Sequence, residues 1–145
     1  MYIKRTVETQ LEKLSKSFPV VMITGSRQVG KTTLLNAISK QMYNPINYIS
    51  LDNLSVRALA LEDPEMFIEK YKAPLVIDEF QYAPNLLSYI KLVVDKKRQE
   101  HLENDKVNSR GLYYLTSTQT FNTMQNVSES LAGRVRNIRI ISSIK

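Results

Sequence analysis

Apolar positions in this chain come in two kinds of run, and the two kinds alternate. Val7, Leu11 and Leu14 stand at i, i+4, i+7, the stripe of a first helix that should fill residues 1–17. FPVVMIT follows, and its continuous run from Val20 to Thr24 is the pattern of a strand covered on both faces. Helical spacing returns at Leu34, Leu35, Ile38 and Met42, and the Asn44-Pro45 pair should stop that helix, since proline disfavours helical angles in the residue before it. INYISLD reads as a second strand. In NLSVRALALE, Leu54, Ala58 and Leu61 fall at helical spacing, and Asp63 before Pro64 reads as the N-cap and first position of a helix PEMFIEKY. KAPLVIDEF is again short, apolar and closed by acids, a third buried strand. Leu86, Leu87, Ile90, Val93 and Val94 then mark a helix entered through Pro84. That helix is expected to dissolve in DKKRQEHLENDKVNSR, leaving residues 96–110 as an exposed loop. GLYYLTST and VRNIRII supply the fourth and fifth strands. Such alternation is the mark of an α/β domain.

Composition narrows the class without changing it. The 145 residues are 43% hydrophobic with four glycines and five prolines, as in an ordinary folded domain, and one domain is the natural count. The lack of cysteine excludes thiol chemistry and cysteine-ligated zinc, and fits a reducing cytoplasm or indifference to redox state. MYIKRTVETQLEKLSKS mixes charges with single apolar residues, unlike an export signal, and PVVMI and PLVI are too short to cross a bilayer. A cytoplasmic protein with no membrane partner is expected. The net charge of +6 and isoelectric point near 9.5 would suit a nucleic-acid partner. The basic residues are scattered among acids, however, so that partner is weakly supported and an ordinary solvated surface explains the charge better.

One segment carries chemistry by itself. Gly25-Ser26-Arg27-Gln28-Val29-Gly30-Lys31-Thr32 fits GxxxxGKT, the Walker A pattern of the phosphate loop, between an apolar strand and an amphipathic helix. Strand, glycine-rich turn and helix N-terminus together aim backbone amides at an anion. Gly25 and Gly30 allow backbone angles and close approach that a side chain would prevent. Amides from about Val29 to Thr33 should meet the α and β phosphates. Lys31 should reach the β and γ phosphates, and the Thr32 hydroxyl should ligate a Mg²⁺ ion bridging them.

PLVIDEF supplies the complementary acids. Asp78 and Glu79 follow a buried strand at its carboxyl end, the edge where open α/β sheets bind ligands. Asp78 is expected to hold the metal, and Glu79 to orient and deprotonate an attacking water. P-loop proteins with a glutamate beside the metal acid usually carry an extra strand between the phosphate-loop strand and the acid-bearing one. GLYYLTST would fill that place, giving a five-stranded parallel sheet of order 5-1-4-3-2 in a three-layer α/β/α sandwich. Thr116-Ser117-Thr118-Gln119 would then reach the site, with Thr118 and Gln119 best placed to sense the γ phosphate or position water. A hydroxyl-rich turn opening the next helix would have the same sequence.

These segments resemble a family of bacterial and archaeal AAA-like P-loop ATPases, AAA domain 14, usually found with a C-terminal DUF4143 domain. The similarity runs through nearly the whole chain, in GSRQVGKTTLL, YISLDNLSVRALALEDPEMFIEKY, PLVIDEFQYAPNLLSYIKLVVD, LYYLTST and SESLAGRV. RALALEDP, DEFQYAP and SESLAGRV together are its most specific parts. The resemblance implies an ATP-binding domain with Gly30, Lys31 and Thr32 in the nucleotide loop and Asp78 and Glu79 as the metal and water pair. It also points to Arg134, expected on the side of the sheet where the other site groups collect, as a group that could stabilise phosphoryl charge in cis or from a neighbouring subunit. Where relatives end their fourth strand in TGS, this chain has Thr116-Ser117-Thr118, a serine replacing a glycine. The family's C-terminal partner domain has no counterpart up to Lys145, and the expectations are a fragment or truncated reading frame, or a short version that works with a partner protein or domain or as a homo-oligomer.

Two functions fit these residues. One is Mg²⁺-dependent hydrolysis of ATP to ADP and phosphate. The other is a nucleotide-gated binding module that turns over little and controls a partner. A nucleic-acid-stimulated motor draws only on the basic balance. Guanine specificity has no support, because neither NKxD nor TKxD occurs, and no arginine-rich insertion suggests the lid of a small-molecule kinase.

Overall fold

The structure is a computed structural model that describes residues 2–25, 46–118 and 121–139, with side chains over 9–25, 46–118 and 125–139. Its centre is a sheet whose three inner strands are shut off from water on both faces. Every residue of β1 (Val20–Thr24), β3 (Leu75–Asp78) and β4 (Tyr113–Ser117) is buried. Successive strand residues point to opposite faces. Val20, Met22, Leu75, Ile77, Tyr113 and Leu115 therefore join one apolar cluster, while Val21, Ile23, Val76 and Tyr114 join another. With β2 (Asn47–Ser50) and β5 (Val135–Arg139), the strands lie in the order β2-β3-β4-β1-β5. All pairings are parallel. This is the expected order read from the other edge.

Helices cover both faces. Val56 and Ala60 of α2 (Leu54–Glu62), Phe67 of α3 (Pro64–Lys70), Leu87, Ile90 and Val94 of α4 (Leu87–Glu103), and Val127 of α5 (Phe121–Ser130) complete the first cluster. On the second face, Leu11 and Leu14 of α1 (Tyr2–Ser15) pack against the strands. The result is three layers, α/β/α. Among the described residues no helix is long and apolar enough to cross a membrane.

Local chemistry sets the joints. Asn53 caps α2, its side chain accepting from the amides of Ser55 and Val56 at 2.9 and 3.2 Å. Asp63 ends α2 by donating its amide to Leu59 O and starts α3 by accepting from the Met66 amide at 3.1 Å, with Pro64 in the first turn as expected. The expected apolar stripe of α2 is corrected. Leu54 and Leu61 are 72% and 50% exposed, whereas Val56 and Ala60 face the core.

The expected loop over residues 96–110 is corrected in its first half, because α4 persists to Glu103, while residues 104–110 are outside helix and strand. Lys, Arg, Gln and Glu are strong helix formers, and polarity alone does not unwind them. Side chains of this stretch are also fastened: Arg98 donates to Gly133 O at 3.0 Å, Lys97 stands 4.0 Å from Glu100, and Gln99 bonds Glu103. Residues 104–112 connect α4 to β4, and the His101 ring meets Val107 O at 2.7 Å across the start of that connection.

Candidate functional site

The carboxyl edge of the sheet gathers buried polar groups that its apolar runs would not otherwise tolerate. Ile77 of β3 is level with Leu115 of β4, and Leu115 with Met22 of β1. Asp78, Thr116 and Ile23 therefore form the next row, and Gly25 leaves the sheet just beyond. The Gly25 amide donates to Ser117 O at 3.3 Å, so the turn after β1 opens against the end of β4. Its φ of 150° is a conformation that side-chain-bearing residues rarely adopt. Ser26, Arg27, Gln28, Val29, Gly30, Lys31, Thr32, Thr33 and Gln119 lie outside the described residues, as does the helix expected over Leu34 to Met42.

Asp78 and Glu79 are only 8% and 4% exposed. Asp78 Oδ1 accepts from the Thr116 hydroxyl and from the Glu79 amide at 3.0 Å, while Oδ2 accepts from the Tyr48 hydroxyl at 2.6 Å. A buried carboxylate needs such donors, because desolvation without them is costly. Glu79 turns the chain sharply, with φ 57° and ψ 49° in the left-handed region, where a residue with a side chain is uncommon. That turn sends its carboxylate toward β4. There Oε1 accepts from Gln81 Nε2 at 2.8 Å and stands 3.4 Å from the Thr118 hydroxyl, with Gln81 Nε2 also 3.3 Å from Thr118 Oγ1. Two acids and two threonines from adjacent strands thus form one hydrogen-bonded group.

The chain matches the AAA domain family over residues 17–142. It belongs to that family. Two curated relatives, the uncharacterized proteins Mb2031c of Mycobacterium bovis and Rv2008c of Mycobacterium tuberculosis, are each 28% identical over 137 residues. Those residues are 94% of this chain and 28% of each relative, so the chain spans little more than a quarter of their length. The Walker-type ATPase PABY2304 of Pyrococcus abyssi has the same fold, with a TM-score of 0.53 at 14% identity, over 97% of this chain and 54% of that one. The chain is thus an AAA-like P-loop ATPase domain, and its sheet and layers are those of the P-loop NTPase fold.

Within this AAA domain Arg134 does not join the acids. In a parallel sheet the residue before a strand lies at the amino edge, and Arg134 O accepts from the Val20 amide at the start of β1. Four residue steps and three strand spacings separate it from Asp78, roughly 20 Å at ordinary sheet dimensions. Its guanidinium bonds Asp95 of α4 through two contacts of 2.7 and 3.1 Å, and Ala132 O at 2.8 Å. The expected placement beside the other site groups of its own chain is therefore corrected.

The structure adds Tyr48 and Gln81 to the site and singles out Thr116 within the segment expected there. Thr116, rather than Thr118, touches Asp78 and the Glu79 amide, a position that strand register could have indicated, since alternate β4 residues share a face. Tyr48 reaches Asp78 from β2, and Gln81 reaches Glu79 from the turn after it. No spacing rule foretells Gln81, because its approach depends on the left-handed turn. Ser117 is fully buried, and its carbonyl accepts from the Gly25 amide.

Proposed function

We propose that this AAA domain binds ATP with Mg²⁺ and hydrolyses it to ADP and phosphate. The observation that carries the reading is Glu79, a buried carboxylate held in a left-handed turn beside Asp78, with one strand, β4, between its own strand and the one that leads into the phosphate loop. The family, and a Walker-type ATPase with the same fold, support it.

In this reading the loop from Gly25 to Thr33 receives the phosphates, with Lys31 on the β and γ groups. Thr32 and Asp78 would hold Mg²⁺. Mg²⁺ is commonly bound through one or two carboxylates, water and substrate phosphates, a mode that needs only Asp78 and Thr32 from this chain. When bound, the ion neutralises charge on the β and γ oxygens. Glu79 orients the attacking water and takes its proton, while Thr116 and Tyr48 hold Asp78 in place. Arg134 could act only on a neighbouring copy, a role to be tested by mixing Arg134→Ala subunits with Glu79→Gln subunits and looking for recovered turnover.

The test is a pair of substitutions. Lys31→Ala should abolish ATP binding, whereas Glu79→Gln should keep binding and lower turnover by about 100-fold or more, the scale of a lost general base. Equal turnover in the wild type and Glu79→Gln would instead favour the nucleotide-gated binding module.

A further inference from the structure

Gln81 stands outside every role described so far, yet it makes the shortest bond to the Glu79 carboxylate among the described contacts. Its Nε2 donates to Glu79 Oε1 at 2.8 Å and lies 3.3 Å from Thr118 Oγ1, so one amide joins the acid-bearing turn to the end of β4. Its Oε1 is buried and has no hydrogen-bond partner among the described residues. Leaving a buried carbonyl oxygen unpaired costs about as much as a lost hydrogen bond. Turning the amide over would relieve nothing, since it would place that oxygen against the Glu79 carboxylate. The side chain is therefore oriented by Glu79, at the expense of its own acceptor. The backbone enforces the meeting as well. Glu79 at φ 57° reverses the chain into the 3-10 turn Phe80–Tyr82, and Phe80, fully buried, anchors the residue before Gln81.

We propose that Gln81 is a positioning residue for Glu79: by bonding Glu79 and Thr118 together, it fixes the carboxylate in the orientation needed to receive a proton from the attacking water. The inference rests on the hydrolytic reading above. A carboxylate on a long side chain samples several rotamers, and only those that face the water and the γ phosphate contribute to turnover. Gln81 and Thr118 both contact Oε1 and so hold the carboxylate from the side of β4.

Gln81→Met keeps the volume and removes the donor. In the full chain it should lower kcat for Mg²⁺-ATP about 10- to 100-fold, the scale of a misaligned catalytic group. KM, affinity for a non-hydrolysable ATP analogue and the melting temperature should stay near wild type. In a Glu79→Gln background the same change should alter turnover less than about twofold, because the group it positions is gone. Crystal structures without nucleotide should show the Glu79 carboxylate displaced in Gln81→Met. The inference is overturned by an unchanged kcat, by an equal fall in the Glu79→Gln background, or by a Glu79 carboxylate that keeps its place. Wild-type turnover no faster than that of Glu79→Gln overturns the hydrolytic reading and this inference with it, whereas normal wild-type turnover with an unaffected Gln81→Met overturns this inference alone.

Discussion

The two edges of this sheet both carry charged groups, and they treat them in opposite ways. At the amino edge, Arg134 and Asp95 neutralise each other with side chains 22% and 43% exposed. Solvent shares the cost there, and the pair ties α4 to the start of β5. At the carboxyl edge, two acids are sunk beside one another and held by hydroxyls and amides. Burial of like charges is expensive and is relieved by a ligand that brings positive charge. An exposed, paired charge braces a structure; a buried, hydroxyl-lined pair of acids is arranged for something that arrives from outside.

The contrast can be broken by single changes. The largest structural effect is expected for Thr116→Val, which leaves a buried Asp78 oxygen with one donor fewer and should cost about 1–3 kcal/mol in chemical unfolding. Tyr48→Phe removes the other hydroxyl from Asp78, but this side chain is partly exposed and water can take its place, so a loss of about 1 kcal/mol or less is expected in the same measurement. Arg134→Met should cost least, about 0.2–1 kcal/mol, the range of solvent-exposed ion pairs. A cost for Arg134→Met above that of Thr116→Val would erase the distinction between the edges.

Acid sharpens the same comparison. The hydrogen bond from Arg134, aided by its charge and by Lys91 and Arg98, holds the Asp95 carboxyl below its ordinary value of 3.8 despite some desolvation. A depressed folded-state pKa gives stability that is fully present above the unfolded value and is lost as pH falls through the folded one. The difference in stability between wild type and Arg134→Met should therefore be constant from neutral pH down to about 5 and shrink below about 4, as followed by unfolding at each pH.

How much of this was legible in the sequence depended on the distance over which each contact is decided. The strands were readable because burial on both faces leaves uninterrupted apolar runs such as Leu75-Val76-Ile77. Asp78 and Glu79 were readable because they close such a run, and the place of β4 followed from Glu79. The end of α4 was misjudged, since charge was read as a loop although Arg98 and Asp95 are fastened to the turn before β5. The face of α2 was misjudged because Leu54 and Leu61 satisfy helical spacing as well as Val56 and Ala60 do. The edge of Arg134 was a matter of strand direction. Thr116, Tyr48 and Gln81 depend on register across three strands and on one left-handed residue, which local pattern does not encode.

The segments NLSVRALALEDP and DEFQYAP, distant in the chain, are packed together. The Arg57 guanidinium lies 3.7 Å above the Tyr82 ring while its Nε donates to Leu51 O at 2.8 Å, and Asn85 donates to Ala60 O at 2.9 Å. Leu51 in turn donates its amide to Asp78 O. The acid-bearing turn and α2 are therefore one interchangeable part. A graft that moved DEFQYAP into another scaffold without Arg57 would leave Tyr82 without its cation, and an exchange of either residue is best made as a pair.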